Sequence, residues 1–109
     1  MPYNNELDLR VRNITRQWRN ITTRKMFGGV GYMLNGNIIC GVYKDFLILR
    51  LGINEFESAL RSPFVKPFDI TGKPMKGWIM VQNKGLKNDE VLSAWLEQAK
   101  KFVKTLPGK

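Results

Sequence analysis

The sequence predicts an α+β fold, in which three helices pack in two layers with a five-stranded antiparallel sheet. Asn35-Gly36 separates two apolar runs, as in a type I′ hairpin, whose two central residues both need positive φ. Asn54 and Glu57 have the spacing of a helix capping box. Near the C-terminus an apolar stripe with helical spacing runs from Leu92 to Leu106.

The first predicted element is a helix over about Asn5–Arg19. Four apolar residues recur there at helical spacing, namely Leu7, Val11, Ile14 and Trp18. The opposite face carries a row of arginines, namely Arg12, Arg16 and Arg19. Asp8 stands four residues before Arg12, a spacing that predicts an ion pair on the helix surface.

A meander of three strands follows, predicted over Met26–Leu34, Asn37–Tyr43 and Phe46–Leu51. Gly52 ends the third strand. Asn54 then begins a short helix, which Pro63 terminates.

The fourth and fifth strands are predicted at Phe68–Thr71 and Trp78–Gln82. Asn88 begins the last helix, where Asp89-Glu90 places negative charge at the positive helix end. Pro107-Gly108 ends that helix. The predicted order is α-β-β-β-α-β-β-α, and no repeat or linker divides residues 1–109, so a single domain is expected.

The strands alternate poorly between apolar and polar residues. Trp78 and Met80 point to one side of the sheet, and Ile79 and Val81 to the other. Either a helix covers each face, or one face or edge meets a second subunit. We therefore expect self-association, as a homodimer.

The composition excludes several classes of site. The chain has 109 residues, a net charge of +9, no histidine and one cysteine, Cys40, which we expect to be buried. Without histidine, Ser-His-Asp and Cys-His catalysis and most zinc sites are excluded, and we expect no metal and no cofactor. No apolar run is long enough to span a membrane, and Met1–Arg10 has no signal-peptide core, so a cytoplasmic protein is expected.

The strong positive charge predicts an anionic partner. If that partner is nucleic acid, the candidate contact residues are Arg12, Arg16, Arg19, Arg24, Lys25, Lys73 and Lys76. A second basic cluster near the C-terminus consists of Lys100, Lys101, Lys104 and Lys109. Gly28-Gly29-Val30-Gly31 does not have the spacing of a phosphate-binding loop and predicts a bulge or a close backbone approach.

Three segments occur in an informative order: Lys25-Met26-Phe27-Gly28-Gly29, Met33-Leu34-Asn35-Gly36-Asn37 and Thr71-Gly72-Lys73-Pro74-Met75-Lys76-Gly77-Trp78. In this order and spacing they resemble the N-terminal domain of the TfoX/Sxy family, regulators of bacterial natural competence. The likeness extends from about Leu7 to Pro107. It implies a two-layer fold similar to the secretion-chaperone-like folds and carries no catalytic residues. The family's full-length regulators have a further helical domain, so a role that needs that domain lies beyond this likeness.

The resemblance implies a small, non-enzymatic regulatory or adaptor protein that is linked to transcription or competence regulation. It would act through protein contacts or transcription-related binding. The alternative is a sequence-independent nucleic-acid-binding module that uses the basic first helix. A third reading is an enzyme with carboxylate or lysine chemistry, which would require a deep pocket with converging carboxylates.

Overall fold

A computed structural model describes residues 3–26, 28–69 and 72–108. Phe27, Ile70, Thr71 and Lys109, which contribute to the sequence motifs above, lie outside the described residues. Within them the chain forms three α-helices: α1 (Asn5–Thr15), α2 (Ile53–Ala59) and α3 (Asp89–Val103). A 3₁₀ turn at Asn83–Gly85 precedes α3.

The described residues form one antiparallel sheet of six strands, whereas the sequence predicted five. The strands are β1 (Ile21–Met26), β2 (Gly29–Leu34), β3 (Asn37–Tyr43), β4 (Phe46–Arg50), β5 (Val65–Pro67) and β6 (Trp78–Gln82). Their order across the sheet is β1-β2-β3-β4-β6-β5. The additional strand is β1, which escaped prediction because its central residues are polar and exposed and so lack the apolar alternation that marks a strand.

The hairpin between β2 and β3 is confirmed. Asn35 and Gly36 both have positive φ, 54° and 83°, as a type I′ turn requires. A register shift between Tyr32 and Met33 interrupts the β2–β3 ladder and brings Tyr32 opposite Cys40.

One face of the sheet carries the main core. α3 lies across β3 and β4, and α1 packs beside α3. Each helix buries one apolar face, α1 through Leu7 and Val11, and α3 through Leu92, Leu96, Ala99 and Val103. Cys40 is fully buried within this core, as predicted.

The other face is covered by the chain itself near β4 and β6. Phe68 follows β5, and its N–H donates to the Trp78 carbonyl at 3.2 Å. Its side chain packs against Ile48 and Met80, with the ring centroid 5.8 Å from that of Trp78. The apolar residues on this side are therefore partly enclosed. Self-association, which we predicted from the apolar residues on both faces, stays a prediction. The mass in solution, measured by light scattering, tests it.

Several predicted boundaries need correction. α1 ends at Thr15, not Arg19, because Trp18 packs against the core from a turn and so continues the apolar spacing past the helix end. α2 begins at Ile53, and its N-cap is Gly52 rather than Asn54. Among the described residues, the strand predicted at Phe68–Thr71 lies instead at Val65–Pro67. After it the Phe68 carbonyl accepts a hydrogen bond from the Met75 N–H at 3.0 Å, which closes a turn and does not extend the strand.

Two local predictions hold. The Asn88 side chain accepts a hydrogen bond from the Glu90 backbone N–H at the start of α3. Asp8 and Arg12 form the expected ion pair, with 3.1 Å between Oδ2 and Nε.

Candidate functional site

The structure divides the seven predicted basic residues among three regions. Arg12 and Arg16 lie beside β1, whereas Arg19 lies against the C-terminal half of α3. Arg24 and Lys25 lie on β1 at one edge of the sheet. Lys73 and Lys76 lie between β5 and β6, at the opposite side of the strand order. The predicted residues therefore do not form one continuous patch, and we describe each region by itself.

At the first edge, β1 is open to solvent. It pairs with β2 alone in the described part of the chain, and its four central residues, Thr22 to Lys25, are exposed. Arg12 of α1 and Arg16, the residue that follows α1, share a hollow of about 460 Å³ with Thr22 and Thr23. The exposed edge of β1 is therefore extended and basic, and two arginines lie beside it.

The hydrogen-bond alternation shows which backbone groups face outward. The Asn35 N–H donates to the Asn20 carbonyl at 3.1 Å, and Ile21 stands opposite Leu34. In an antiparallel ladder, bonded and non-bonded residues alternate, so the N–H and C=O groups of Ile21, Thr23 and Lys25 point away from β2. These are the groups that an additional strand would bind.

Arg12 contacts other side chains of the fold. Its Nε donates to Asp8, and its guanidinium carbon lies 5.8 Å from the centre of the Tyr32 ring. Arg16 extends the basic surface. Its side chain is exposed and has no ion-pair partner among residues 3–26, 28–69 and 72–108.

A second basic surface forms where the end of α1 meets the C-terminal half of α3. Arg19 shares a hollow of about 370 Å³ with Lys100 and Lys104. Lys100 places its Nζ 4.6 Å from the centre of the Trp18 ring, and Lys101 lies beside it on α3. We call Arg19, Lys100, Lys101 and Lys104 the basic band.

A cavity of about 730 Å³ lies at the end of the sheet where β4 ends and β6 begins. We call it the cleft. Its walls come from the β4–α2 junction, the start of β6 and the C-terminal half of α3, and they include Arg50, Gly52, Lys76, Gly77, Lys101 and Phe102.

Two glycines bring these walls together. Gly52 has φ +84°, and a Cβ there would lie 2.5 Å from the Phe102 ring. Gly77 has φ +90°, and its carbonyl accepts hydrogen bonds from the N–H groups of Leu51 at 2.8 Å and Gly52 at 3.1 Å. Side chains at these two positions would strain the backbone and separate the walls of the cleft.

The buried titratable groups are engaged in the fold. The Tyr32 hydroxyl donates to Asp8, and burial, reinforced by that bond, raises the pKa of Tyr32 well above its ordinary value. Burial likewise raises the pKa of the Cys40 thiol, so the reactive thiolate is disfavoured.

Residues 3–26, 28–69 and 72–108 contain neither a metal-binding cluster nor a membrane-spanning helix. No three Asp, Glu or Cys side chains there converge as metal ligands. No described helix has the length and apolarity needed to cross a bilayer.

The sequence did not predict the cleft, nor did it predict that Arg19 lies beside the lysines of α3. Arg50, Lys76 and Lys101 are about 25 residues apart in sequence, and only the β4–β6 pairing and the packing of α3 bring them together. The Gly77-Trp78 pair lies at the cleft and belongs to a sequence motif. The motif does not indicate that these residues line a cavity.

Comparison of the chain with known protein families agrees with the sequence motifs. The model of the TfoX N-terminal domain matches residues 13–103, which is most of the chain. No curated protein and no solved structure is significantly similar to the chain. The secretion-chaperone-like fold thus remains what the family resemblance implies.

Proposed function

Because this chain belongs to the TfoX N-terminal domain family, we propose that it is a regulatory adaptor that acts by binding another protein. The family suggests a setting in competence or transcription regulation. The proposed adaptor is non-enzymatic and cytoplasmic. The observation that carries the proposal is the open, basic edge of β1.

The open edge supports strand addition by a partner. The outward N–H and C=O groups of Thr23 and Lys25 match the spacing of an extended peptide, which would extend the sheet to seven strands. The opposite edge is less suitable, since β5 has three residues and ends in Pro67.

Charge specifies the partner segment. Arg24 and Lys25 on β1, with Arg16 beside it, favour a strand that carries aspartate or glutamate. Two copies of this basic edge would repel each other, so an edge-to-edge homodimer is disfavoured and an acidic strand from another protein is favoured.

Support for a non-enzymatic role comes from the titratable groups. Asp8 accepts a hydrogen bond from Tyr32 and forms an ion pair with Arg12, and Asp89 pairs with Arg10 at 2.8 Å. The cleft has a single carboxylate, Glu55, rather than the pair that general acid–base catalysis commonly uses.

The test combines a backbone and a charge variant of β1. Thr23→Pro removes an outward N–H without breaking the ladder to β2, and Arg24→Glu/Lys25→Glu reverses the charge while keeping every N–H. A partner captured from the native cell by the wild type should be lost with both variants and retained with Lys66→Glu on the opposite edge. Thermal unfolding verifies that each variant folds.

Hydrogen exchange then locates the contact. Binding of the partner's acidic segment, as a synthetic peptide, should slow exchange of the Thr23 and Lys25 amides specifically. A partner that binds Thr23→Pro as tightly as the wild type would refute strand addition at β1.

A second candidate function is sequence-independent nucleic-acid binding. The basic band favours it, because Arg19 is joined there by Lys100, Lys101 and Lys104 on one surface. Contacts of this kind would go to phosphates and not to bases. The sequence predicts this function on the first helix, where the structure pairs Arg12 with Asp8.

A further inference from the structure

We propose that the cleft binds a small amphipathic anion, that is, a molecule with an apolar body and one carboxylate, phosphate or sulfonate group. This site is separate from the β1 edge, and its ligand is independent of the adaptor function proposed above.

The size of the cleft indicates a small molecule. Its volume of about 730 Å³ falls within the range of about 300–1,000 Å³ that is typical of small-molecule sites. Three chain segments wall it, so it is concave, unlike the flat surface that most protein partners cover.

The apolar part of the site comes from aromatic and aliphatic side chains. Phe102 of α3, Leu51 and Trp78 line the cleft. Ile53 stands at the cleft with 70% of its surface exposed, which is unusual for so large an apolar side chain. A bound apolar body would remove this surface from water, and that transfer would favour binding.

The charge of the cleft specifies the other end of the ligand. The residues that line the cleft include three cations, Arg50, Lys76 and Lys101, and one carboxylate, Glu55. Lys76 and Lys101 have no ion-pair partner among the described residues. An anionic head group between them would gain charge-assisted hydrogen bonds.

Arg50 is held in position for this role. Its guanidinium carbon lies 5.2 Å from the centre of the Trp78 ring, and Nη1 donates to the Ile38 carbonyl at 3.3 Å. A cation fixed in this way loses less side-chain entropy when a ligand binds.

A matched pair of fluorescent dyes tests both halves of the proposal. 8-Anilinonaphthalene-1-sulfonate has an apolar body and a sulfonate, and N-phenyl-1-naphthylamine has the same body without the charge. We expect the sulfonate to bind once per chain and to weaken about tenfold with Lys76→Gln/Lys101→Gln. The neutral dye should change less than twofold with that variant.

The control and the location of binding complete the test. Lys84→Gln/Lys87→Gln removes the same charge outside the cleft and should leave the sulfonate affinity unchanged. In amide NMR spectra, the sulfonate should shift Gly52 and Gly77 but not Gly36 in the β2–β3 turn. Displacement by dodecanoate or by adenosine monophosphate then distinguishes an aliphatic carboxylate from a nucleotide as the ligand class.

Three results would overturn the proposal. They are non-saturable binding, equal loss of affinity in the cleft and control variants, and shifts at Gly36 that match those at Gly52. None of these results bears on strand addition at β1, which is measured with a different ligand and different variants.

Discussion

Asp8 and Tyr32 join α1 to the sheet through a polar contact inside the core. Asp8 is 6% exposed, accepts a hydrogen bond from the Tyr32 hydroxyl and pairs with Arg12 at the surface. A buried carboxylate is tolerated only when such partners replace water. The sequence predicted the Arg12 pair from its spacing, but Tyr32 lies 24 residues away and no local pattern connects it to Asp8.

Tyr32→Phe should reduce the free energy of unfolding by about 1–2 kcal/mol at pH 7, because Asp8 then stays buried without its hydroxyl donor. The raised pKa of Tyr32 sets the pH dependence of this difference. Its contribution is fully present below the unfolded pKa of about 10 and is lost as pH rises further. The gap between wild type and variant should therefore close by about 1.4 kcal/mol per pH unit above pH 10.

Urea unfolding at pH 7 and at pH 11 measures this gap. Tyr3→Phe serves as the matched control, since it removes a hydroxyl from a half-buried tyrosine outside the Asp8 contact. A gap that stays constant between the two pH values would show that Tyr32 ionises alike in the folded and unfolded chain.

The helix starts show how local sequence rules succeed and fail within one chain. Asn88 and Asn54 both precede apolar helical segments and both have the N-cap residue type. In the structure only Asn88 caps, whereas α2 begins one residue before Asn54, directly after Gly52. The reason is tertiary, because Gly52 is fixed by its bond to the Gly77 carbonyl and its contact with Phe102.

Asn88→Ala should therefore destabilise the protein by about 1 kcal/mol through the loss of the bond to the Glu90 N–H. Asn54→Ala should change stability by less than about 0.5 kcal/mol, since Asn54 is exposed inside the first turn of α2. Chemical denaturation of the two variants side by side compares them. Equal losses would mean that Asn54 caps α2 as its sequence position suggested.

The strands with the most buried residues were the ones that the sequence predicted. β2, β3, β4 and β6 were found because most of their residues are apolar and buried and a turn signal bounds the first pair. β1 was missed because Thr22 to Lys25 are exposed, so the pattern that burial imposes is absent. The feature that hid this strand is also the one that leaves its edge available to a partner.

At the scale of the whole molecule, the sites depend on contacts between segments that are distant in sequence. The sequence supplied the excess of positive charge and the helical row of Arg12, Arg16 and Arg19. It could not show that Arg19 leaves the helix and meets Lys100 and Lys104, because that contact requires α1 to pack beside α3. The distribution of charge over the surface was therefore set by packing rather than by any local motif.

This distribution makes the nucleic-acid alternative testable by salt dependence. If the protein binds DNA, each neutralised duplex phosphate contributes about −0.9 to the slope of log affinity against log salt. Arg19→Gln/Lys101→Gln/Lys104→Gln should make that slope shallower by up to about three units, because each side chain is exposed and none pairs with an acid in the described structure. Fluorescence anisotropy with a labelled duplex across a salt series measures the slope.

The matched variant is Arg12→Gln/Arg16→Gln/Arg24→Gln, which removes the same charge from α1 and β1. Its slope should change less, because Arg12 already neutralises Asp8 and must break that pair to reach a phosphate. A larger change in this variant than in the first would place the contact on the first helix after all. No binding at low salt with either protein would remove nucleic acid as a partner and leave the acidic strand at β1 as the anion that the positive charge attracts.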